Sequence, residues 1–139
     1  MSEQASSIAD ERDIWYAYVD LTHRYAEAVD LNAGLGVAGL FATAGTWDGT
    51  SFRLGVLTGR AAIGRHFAGT AETPPSVHLV HNHRLVAVSD THTVASSYSH
   101  AIQTRPDGIR HLVVRYDDVL TLEDGWRFQS RTLHRGPSF

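Results

Sequence analysis

The sequence contains no cysteine and no lysine, and only four of its 139 residues are proline. Without cysteine the chain can form no disulfide framework, thiolate nucleophile or cysteine-based zinc site, so its chemistry depends on oxygen and nitrogen groups. No apolar run approaches the ~20 residues needed to cross a bilayer, and the polar N-terminus lacks the apolar segment of a signal peptide. These absences predict a cytoplasmic protein with no membrane partner.

The charged residues form no basic patch. The net charge is -3, and all twelve basic residues are arginines scattered from Arg12 to Arg135. A nucleic-acid partner is therefore not expected. A chain of this length with 42% hydrophobic residues can build one compact core. We expect a single domain over residues 1–139, with residues 1–7 flexible.

The first half of the chain has helical periodicity. Apolar residues recur every three or four positions between Ile8 and Asp30, and Ser7 can cap the helix that this spacing predicts. Shorter helices are predicted over residues 34–41 and 59–69.

The second half has the alternating pattern and turn residues of β-strands. Strands are predicted over residues 77–89, 91–105, 109–122 and 126–135, and their short connections force antiparallel neighbours. A hairpin bent around Asp48-Gly49 is predicted over residues 46–57. Helices followed by a long meander indicate an α+β domain whose helices cover one face of the sheet.

One face of the second long strand mixes polar and apolar side chains. Val94, Tyr98 and Ile102 share that face with Ser96 and His100. Such a mixture is typical of a small-molecule cavity. It is equally compatible with a face that simply meets solvent.

Several short motifs together resemble one family over nearly the whole chain. They are Tyr25-Ala-Glu-Ala-Val-Asp30, Leu40-Phe41, Trp47, Gly59-Arg60-Ala-Ala-Ile63, His78 before Asn82, Tyr116-Asp-Asp118, and Gly125-Trp126-Arg127-Phe128 with Arg131. Their order and spacing are similar to those of SnoaL-like proteins of the nuclear-transport-factor-2 class. The resemblance implies a cone-shaped, curved antiparallel sheet wrapped by N-terminal helices around a central pocket.

Within that class the chain most resembles the branch of scytalone dehydratase, bile-acid 7α-dehydratase and hexachlorocyclohexane dehydrochlorinase. The branch has an aspartate ending helix one, a histidine early on a strand and, in the dehydratases, a tyrosine five residues before the aspartate. Asp30, His78 and Tyr25 match these positions. The resemblance implies that Asp30 and His78 meet in the pocket, at about 2.6 to 3.2 Å or one water apart.

The sequence also departs from this branch. The bile-acid enzyme carries a further carboxylate near the position of His100-Ala101, and the dehydrochlorinase carries lysine in place of Tyr25. Loss of water is therefore better supported than loss of halide.

The three matched side chains suit proton transfer next to a carbonyl. Histidine titrates near neutral pH, so His78 can take a proton from carbon and return it to a departing oxygen. Asp30 would orient the imidazole and stabilise the imidazolium, while the Tyr25 hydroxyl could donate to the oxygen on which charge develops. We expect these three residues to be catalytic, with no cofactor and no metal.

Further residues are expected around the substrate. The predicted pocket lining comprises Trp47, Phe67, Tyr98, His100 and Arg131, and His66 is a second-rank candidate.

Structural explanations of the same residues remain open. His78 could be an ordinary strand histidine, Asp30 a helix-end residue bonding to local backbone, and Tyr25 part of the core. His81 and His83 would share one face of a regular strand and could begin a metal site, although the sequence fixes no third ligand.

The favoured function is a cofactor-independent carbon–oxygen lyase, a dehydratase acting on a small hydroxylated cyclic or polyketide-like substrate. An isomerase or polyketide cyclase using the same base is an alternative, and so is a non-catalytic small-molecule-binding domain. The outer face and edges of so small a sheet should be covered by another copy, so we expect a homodimer or homotrimer.

Overall fold

The computed structural model describes residues 2–70 and 72–138. Its elements in chain order are α1 (Ser2–Asp30), α2 (Gly34–Ala38), β1 (Phe41–Asp48), a 3₁₀ turn (Thr50–Phe52), β2 (Val56–Thr58), α3 (Arg60–Phe67), β3 (Ser76–Val88), β4 (His92–Arg105), β5 (Gly108–Leu122) and β6 (Trp126–Ser138). The predicted α+β class is confirmed, and the four long strands lie within a few residues of their predicted bounds.

The six strands form one curved, unclosed sheet in the order β2-β1-β6-β5-β4-β3. All neighbours are antiparallel except β1 and β6, which run parallel, so the sheet is mixed and not purely antiparallel as predicted. The predicted hairpin over residues 46–57 also differs, since β1 begins at Phe41 and pairs with a short β2 after the 3₁₀ turn. The parallel pair joins chain segments far apart in the sequence, which local alternation does not reveal.

Helix α1 lies over the inner face of the sheet. Its side chains Ile14, Tyr18, Leu21 and Tyr25 are buried at the helical spacing seen in the sequence. They pack against a core that includes Phe41, Trp47, Leu120, Phe128 and Leu133. The helix begins at Ser2, five residues before the predicted cap Ser7.

The end of α1 is set by Asn32, which adopts a left-handed conformation with φ of 55°. The next amide, that of Ala33, donates to the carbonyl of Ala28 at 2.8 Å and closes the last turn. Asparagine tolerates this backbone better than most residues. The chain therefore turns immediately after Asp30, which holds that carboxylate at the helix end.

Strands β3 and β4 have alternating faces, interrupted on β3 by two shifts of the pairing register, after His81 and after Leu85. On β4, Thr93, Ala95, Ser97, Ser99 and Ala101 point inward and are buried. On β3, the pairing register shifts between His81 and Arg84 around Asn82, which has φ of 56°. The bulge reverses the alternation of β3 along its length.

Helix α3 closes one side of the cone. Gly34 of α2 packs directly against the carbonyl oxygen of Gly64 in α3, and no side chain fits between them. Within the described part of the chain, no helix combines the length and apolar character needed to cross a membrane.

Candidate active site

A cavity of about 310 Å³ lies between α1, α3 and the inner face of the sheet. Its lining is aromatic and neutral. The described residues around it are Tyr25, Val29, Asn32, Trp47, Phe52, Leu54, His66, Phe67, Gly69, Thr73, Pro74, Ser76, His78, Ala101, Gln103, Leu112, Val114, Tyr116 and Leu133. None of these is a carboxylate or an arginine.

The end of α1 and the start of β3 bring Asp30 against His78. The imidazole Nδ1 lies 2.6 Å from Asp30 Oδ1, and the backbone amide of His78 donates to Asp30 Oδ2 at 3.0 Å. Both oxygens of the carboxylate therefore bind one residue, through its main chain and its side chain. This double contact fixes the ring and leaves Nε2 as the nitrogen that can exchange a proton.

His78 separates the cavity from its carboxylate partner. His78 lines both the cavity and a shallow outer groove between α1 and β3, whereas Asp30 lines only the groove. The side chains are 15% and 22% exposed. A ligand in the cavity would thus meet the imidazole, while Asp30 acts on the ligand only through that ring.

Tyr25 faces the same cavity from the second half of α1. Its phenolic oxygen accepts a hydrogen bond from Trp47 Nε1 at 2.9 Å. Burial raises the pKa of Tyr25, so the phenol stays protonated at neutral pH. With its oxygen accepting from the indole, the hydroxyl has one proton to donate, either to the neighbouring Tyr116 hydroxyl, with which it forms a hydrogen bond, or to a ligand.

Trp47 and Phe67, both expected in the pocket, form an aromatic wall. Their ring centroids are 5.4 Å apart in an edge-to-face arrangement. His66 lies over Trp47 at 4.9 Å, and burial lowers the pKa of this histidine. A ligand with flat, apolar rings would pack best against this wall.

Arg131 does not line the cavity and lies behind its wall. Its Nε is 3.0 Å from Asp118 Oδ1, and both side chains are at most 1% exposed. The guanidinium carbon sits 3.6 Å from the ring centroid of Tyr116 and 4.3 Å from that of Tyr25. The pairing follows from the register, which places Asp118 opposite Arg131 across β5 and β6. Arg131 therefore supports the wall without touching a ligand.

Tyr98 and His100 also lie outside the expected pocket. Both side chains project from the outer face of β4, where Tyr98 is 39% exposed. The period of two correctly groups these residues on one face. That face is the solvent face, because α1 packs on the opposite one.

His81 and His83 lie on opposite faces of β3. In a regular strand, residues two positions apart would lie on the same face. The bulge at Asn82 leaves His81 outside and turns His83 toward α1, where its Nε2 lies 2.6 Å from Thr22 Oγ1. Burial lowers the pKa of His83 to about 4, and nearby His23 adds to the effect. A metal site built on this pair of histidines is thus geometrically excluded.

Most of the cavity lining was missed by the sequence reasoning, including three residues with polar side chains. Ser76 donates to Asp30 Oδ1 at 3.1 Å and shares the inward face of β3 with His78. Gln103 and Tyr116 present the polar groups of β4 and β5 to the cavity. Ser76 could have been found because it precedes His78 by two positions on one strand.

The fold and cavity define a class of small α+β proteins in which a curved sheet and helices enclose a ligand pocket. Residues 7–132 match the SnoaL-like domain, and the chain belongs to that family. No curated protein sequence matches the chain.

Solved structures share this fold at low sequence identity. A single-residue variant of Rv3472, a protein of unknown function from Mycobacterium tuberculosis, has a TM-score of 0.83 at 21% identity over 93% of this chain and 75% of its own. A candidate scytalone dehydratase from Novosphingobium aromaticivorans has a TM-score of 0.81 at 22% identity over 98% and 90%. A type 2 hexachlorocyclohexane dehydrochlorinase has a TM-score of 0.82 at 16% identity over 94% and 90%. At such identities the likeness shows the fold.

Proposed function

We propose that this protein is a cofactor-independent carbon–oxygen lyase that removes water from a small hydroxylated cyclic or polyketide-like substrate. The observation that carries the proposal is the Asp30–His78 contact of 2.6 Å with the imidazole lining an aromatic cavity. The SnoaL-like family and its dehydratase- and dehydrochlorinase-type structural neighbours are consistent with elimination chemistry.

The proposed step begins at a carbon next to a carbonyl. His78 Nε2 takes a proton from this carbon, and Asp30 stabilises the imidazolium that forms. The electron pair of the C–H bond becomes a C=C bond as the neighbouring C–O bond breaks. The imidazolium returns the proton to the departing oxygen, which leaves as water.

Tyr25 would stabilise the negative charge that develops on the carbonyl oxygen. Its oxygen accepts from Trp47, and a ligand oxygen would replace the Tyr116 hydroxyl as the acceptor of its proton. A buried donor that is positioned before the reaction stabilises such charge more than water does.

The cavity lining favours a neutral, flat substrate. Its volume of about 310 Å³ lies at the small end of ligand pockets. Among the described lining residues no arginine could balance a carboxylate or phosphate. A hydroxylated cyclic ketone with aromatic character fits the rings of Trp47, Phe67 and Tyr25.

The experiment screens hydroxylated cyclic ketones for the absorbance of a new conjugated double bond and identifies products by mass loss of water. His78→Ala should lower the rate ~10²–10⁴-fold, the usual contribution of general acid–base catalysis. Asp30→Asn should be nearly as damaging because it removes the charge that stabilises the imidazolium. Tyr25→Phe should cost less, at most roughly 3 to 4 kcal/mol of transition-state stabilisation.

A matched control exists on the outer face. His134 Nε2 lies 2.7 Å from Asp117 Oδ2, so this second imidazole–carboxylate pair has similar contacts outside the cavity. His134→Ala should keep full activity. Full activity in folded His78→Ala would disprove the mechanism, and equal losses in His78→Ala and His134→Ala would show a merely structural effect.

We also propose that the protein acts in the cytoplasm as a homodimer or homotrimer. Val86 and Val88 of the edge strand β3 and Val94 of β4 are exposed apolar residues, which a second copy would cover. Light scattering at micromolar concentration tests this, and a monomer would refute it.

A further inference from the structure

Three histidines lie together on the outer face of the sheet, away from the cavity. His81 of β3, His100 of β4 and His111 of β5 line one shallow depression. His81 lies opposite Tyr98, two positions before His100 on β4, and His111 lies opposite Ile102, two positions after it. The three histidines therefore lie on one diagonal across the three strands. The proposed lyase mechanism uses none of them.

Two of the three imidazoles already touch. His100 Nε2 lies 2.8 Å from His111 Nδ1, and the ring centroids are 5.1 Å apart with a tilt of 31°. At this distance one ring must donate a single proton to the other. Two imidazole nitrogens this close can both bind one metal ion once the shared proton is lost and the rings turn toward the ion.

Metal binding requires both rings to turn as well as to separate. Zinc binds imidazole nitrogen at about 2.0 to 2.1 Å, so two ligands of a tetrahedral ion stand roughly 3.3 Å apart. The nitrogens of His100 and His111 need to separate by about 0.5 Å to reach that geometry. Both rings are only partly buried, so small rotations about their side-chain bonds are open to them.

His81 supplies the third ligand by turning toward the pair. Among the described residues no three metal-ligating side chains stand within binding distance of one another, so this ring has to move. His81 is exposed. It is a diagonal neighbour of His100 across two paired strands, as His111 also is. Diagonal neighbours stand about 7 to 8 Å apart, within reach of aromatic side chains.

Two arginines, Arg84 and Arg115, share this face of the sheet near the depression. Arg115, on the same face, lies opposite Tyr98, and its guanidinium already binds Asp117 at 3.0 Å. Three neutral imidazoles with an open fourth position are a ligand set that divalent zinc, nickel or copper accepts.

We propose that His81, His100 and His111 form a binding site for a divalent transition-metal ion on the outer face of the sheet. The ion would join β3, β4 and β5. Because β3 is an edge strand and carries His78, this clamp would hold the strand that supplies the proposed base.

The test titrates tag-free protein, stripped with chelator, with zinc chloride by isothermal calorimetry and follows the melting temperature. We expect one ion per chain with micromolar affinity and a melting temperature that rises with zinc, as for any ligand that binds the folded state. His100→Gln and His111→Gln should each weaken binding by about tenfold or more, and His81→Gln should also weaken it.

His92→Gln is the matched control, because His92 is also an exposed histidine of β4 but lies outside the depression. Its affinity should equal that of the unchanged protein. Absence of saturable binding, or unchanged affinity in His100→Gln or His111→Gln, would overturn the site. Unchanged affinity in His81→Gln would overturn the three-histidine arrangement.

Discussion

Two pairs of an aspartate and a basic side chain differ sharply in their settings. Asp118 and Arg131 are 0% and 1% exposed, and the guanidinium is enclosed by the rings of Tyr25, Tyr116 and Phe128. Asp30 and His78 are 22% and 15% exposed, and the imidazole lines a cavity. The distances are similar, at 3.0 Å and 2.6 Å.

The contrast shows that the chemical role of an aspartate paired with a basic side chain depends on whether a ligand can reach the pair. The guanidinium of Arg131 keeps its proton at any ordinary pH, and its surroundings admit no ligand. The imidazole of His78 can lose and regain a proton, and one of its nitrogens is left for the cavity. The first pair therefore organises the core, whereas the second is suited to proton transfer.

The largest expected effect comes from breaking the enclosed pair. Asp118→Asn leaves the Arg131 charge buried without a partner and removes the strong acceptor of the Tyr18 hydroxyl, which donates to Asp118 at 2.7 Å. Removing one member of a buried pair costs about 3 to 5 kcal/mol. Urea unfolding should show a loss of this size.

The double variant Asp118→Leu with Arg131→Met is the control for that loss. Because an apolar pair of similar volume avoids the cost of burying charge, it should recover much of the stability. A double variant as unstable as Asp118→Asn alone would contradict the electrostatic explanation.

A smaller effect on stability is expected at the cavity. Asp30→Asn keeps an amide oxygen that can accept from His78, and the site is partly exposed, so the free energy of unfolding should change by only about 1 kcal/mol. The same urea titration measures it. A loss as large as that of Asp118→Asn would show that the Asp30 contact chiefly holds the domain together.

A further effect, similar in size to that of Asp30→Asn, concerns pH and a third imidazole. The pKa of His83 is lowered to about 4, below the value of about 6.5 in an unfolded chain, so the unfolded state binds the proton more strongly. His83 should therefore contribute stability that is complete above pH ~6.5 and is lost as the pH falls toward ~4. Allowing for its partial exposure, the loss should be roughly 1 to 2 kcal/mol.

His83→Gln should flatten this part of the stability curve, measured by urea unfolding between pH 4 and pH 7. His92→Gln, at an exposed position, should leave the curve unchanged. Identical curves for all three proteins would show that His83 is not the group responsible.

The sequence predicted correctly those features of the fold that depend on local residue patterns. Alternation and turn residues located the four long strands, and helical spacing selected the buried face of α1. The family resemblance predicted that Asp30 and His78 meet. Asp30 ends α1 and His78 lies near the start of β3, and the fold determines where these two ends lie.

Other features depend on contacts that the local pattern does not contain. Alternation groups Tyr98 with His100 but does not say which face α1 covers. A bulge of one residue at Asn82 separates His81 from His83. The burial of Arg131 follows from the pairing of β5 with β6, and this register becomes visible only in the assembled sheet.

The two contacts of Asp30 with His78 also tie the end of α1 to a strand that has a partner on one side only. Edge strands open locally at lower free-energy cost than the core. If β3 frays near His78 from both β4 and α1, the imidazole separates from its carboxylate while the rest of the domain stays folded. The proposed activity would then depend on the local opening of a single strand, which amide hydrogen exchange measures. The activity would be lost under milder conditions than those that unfold the whole domain.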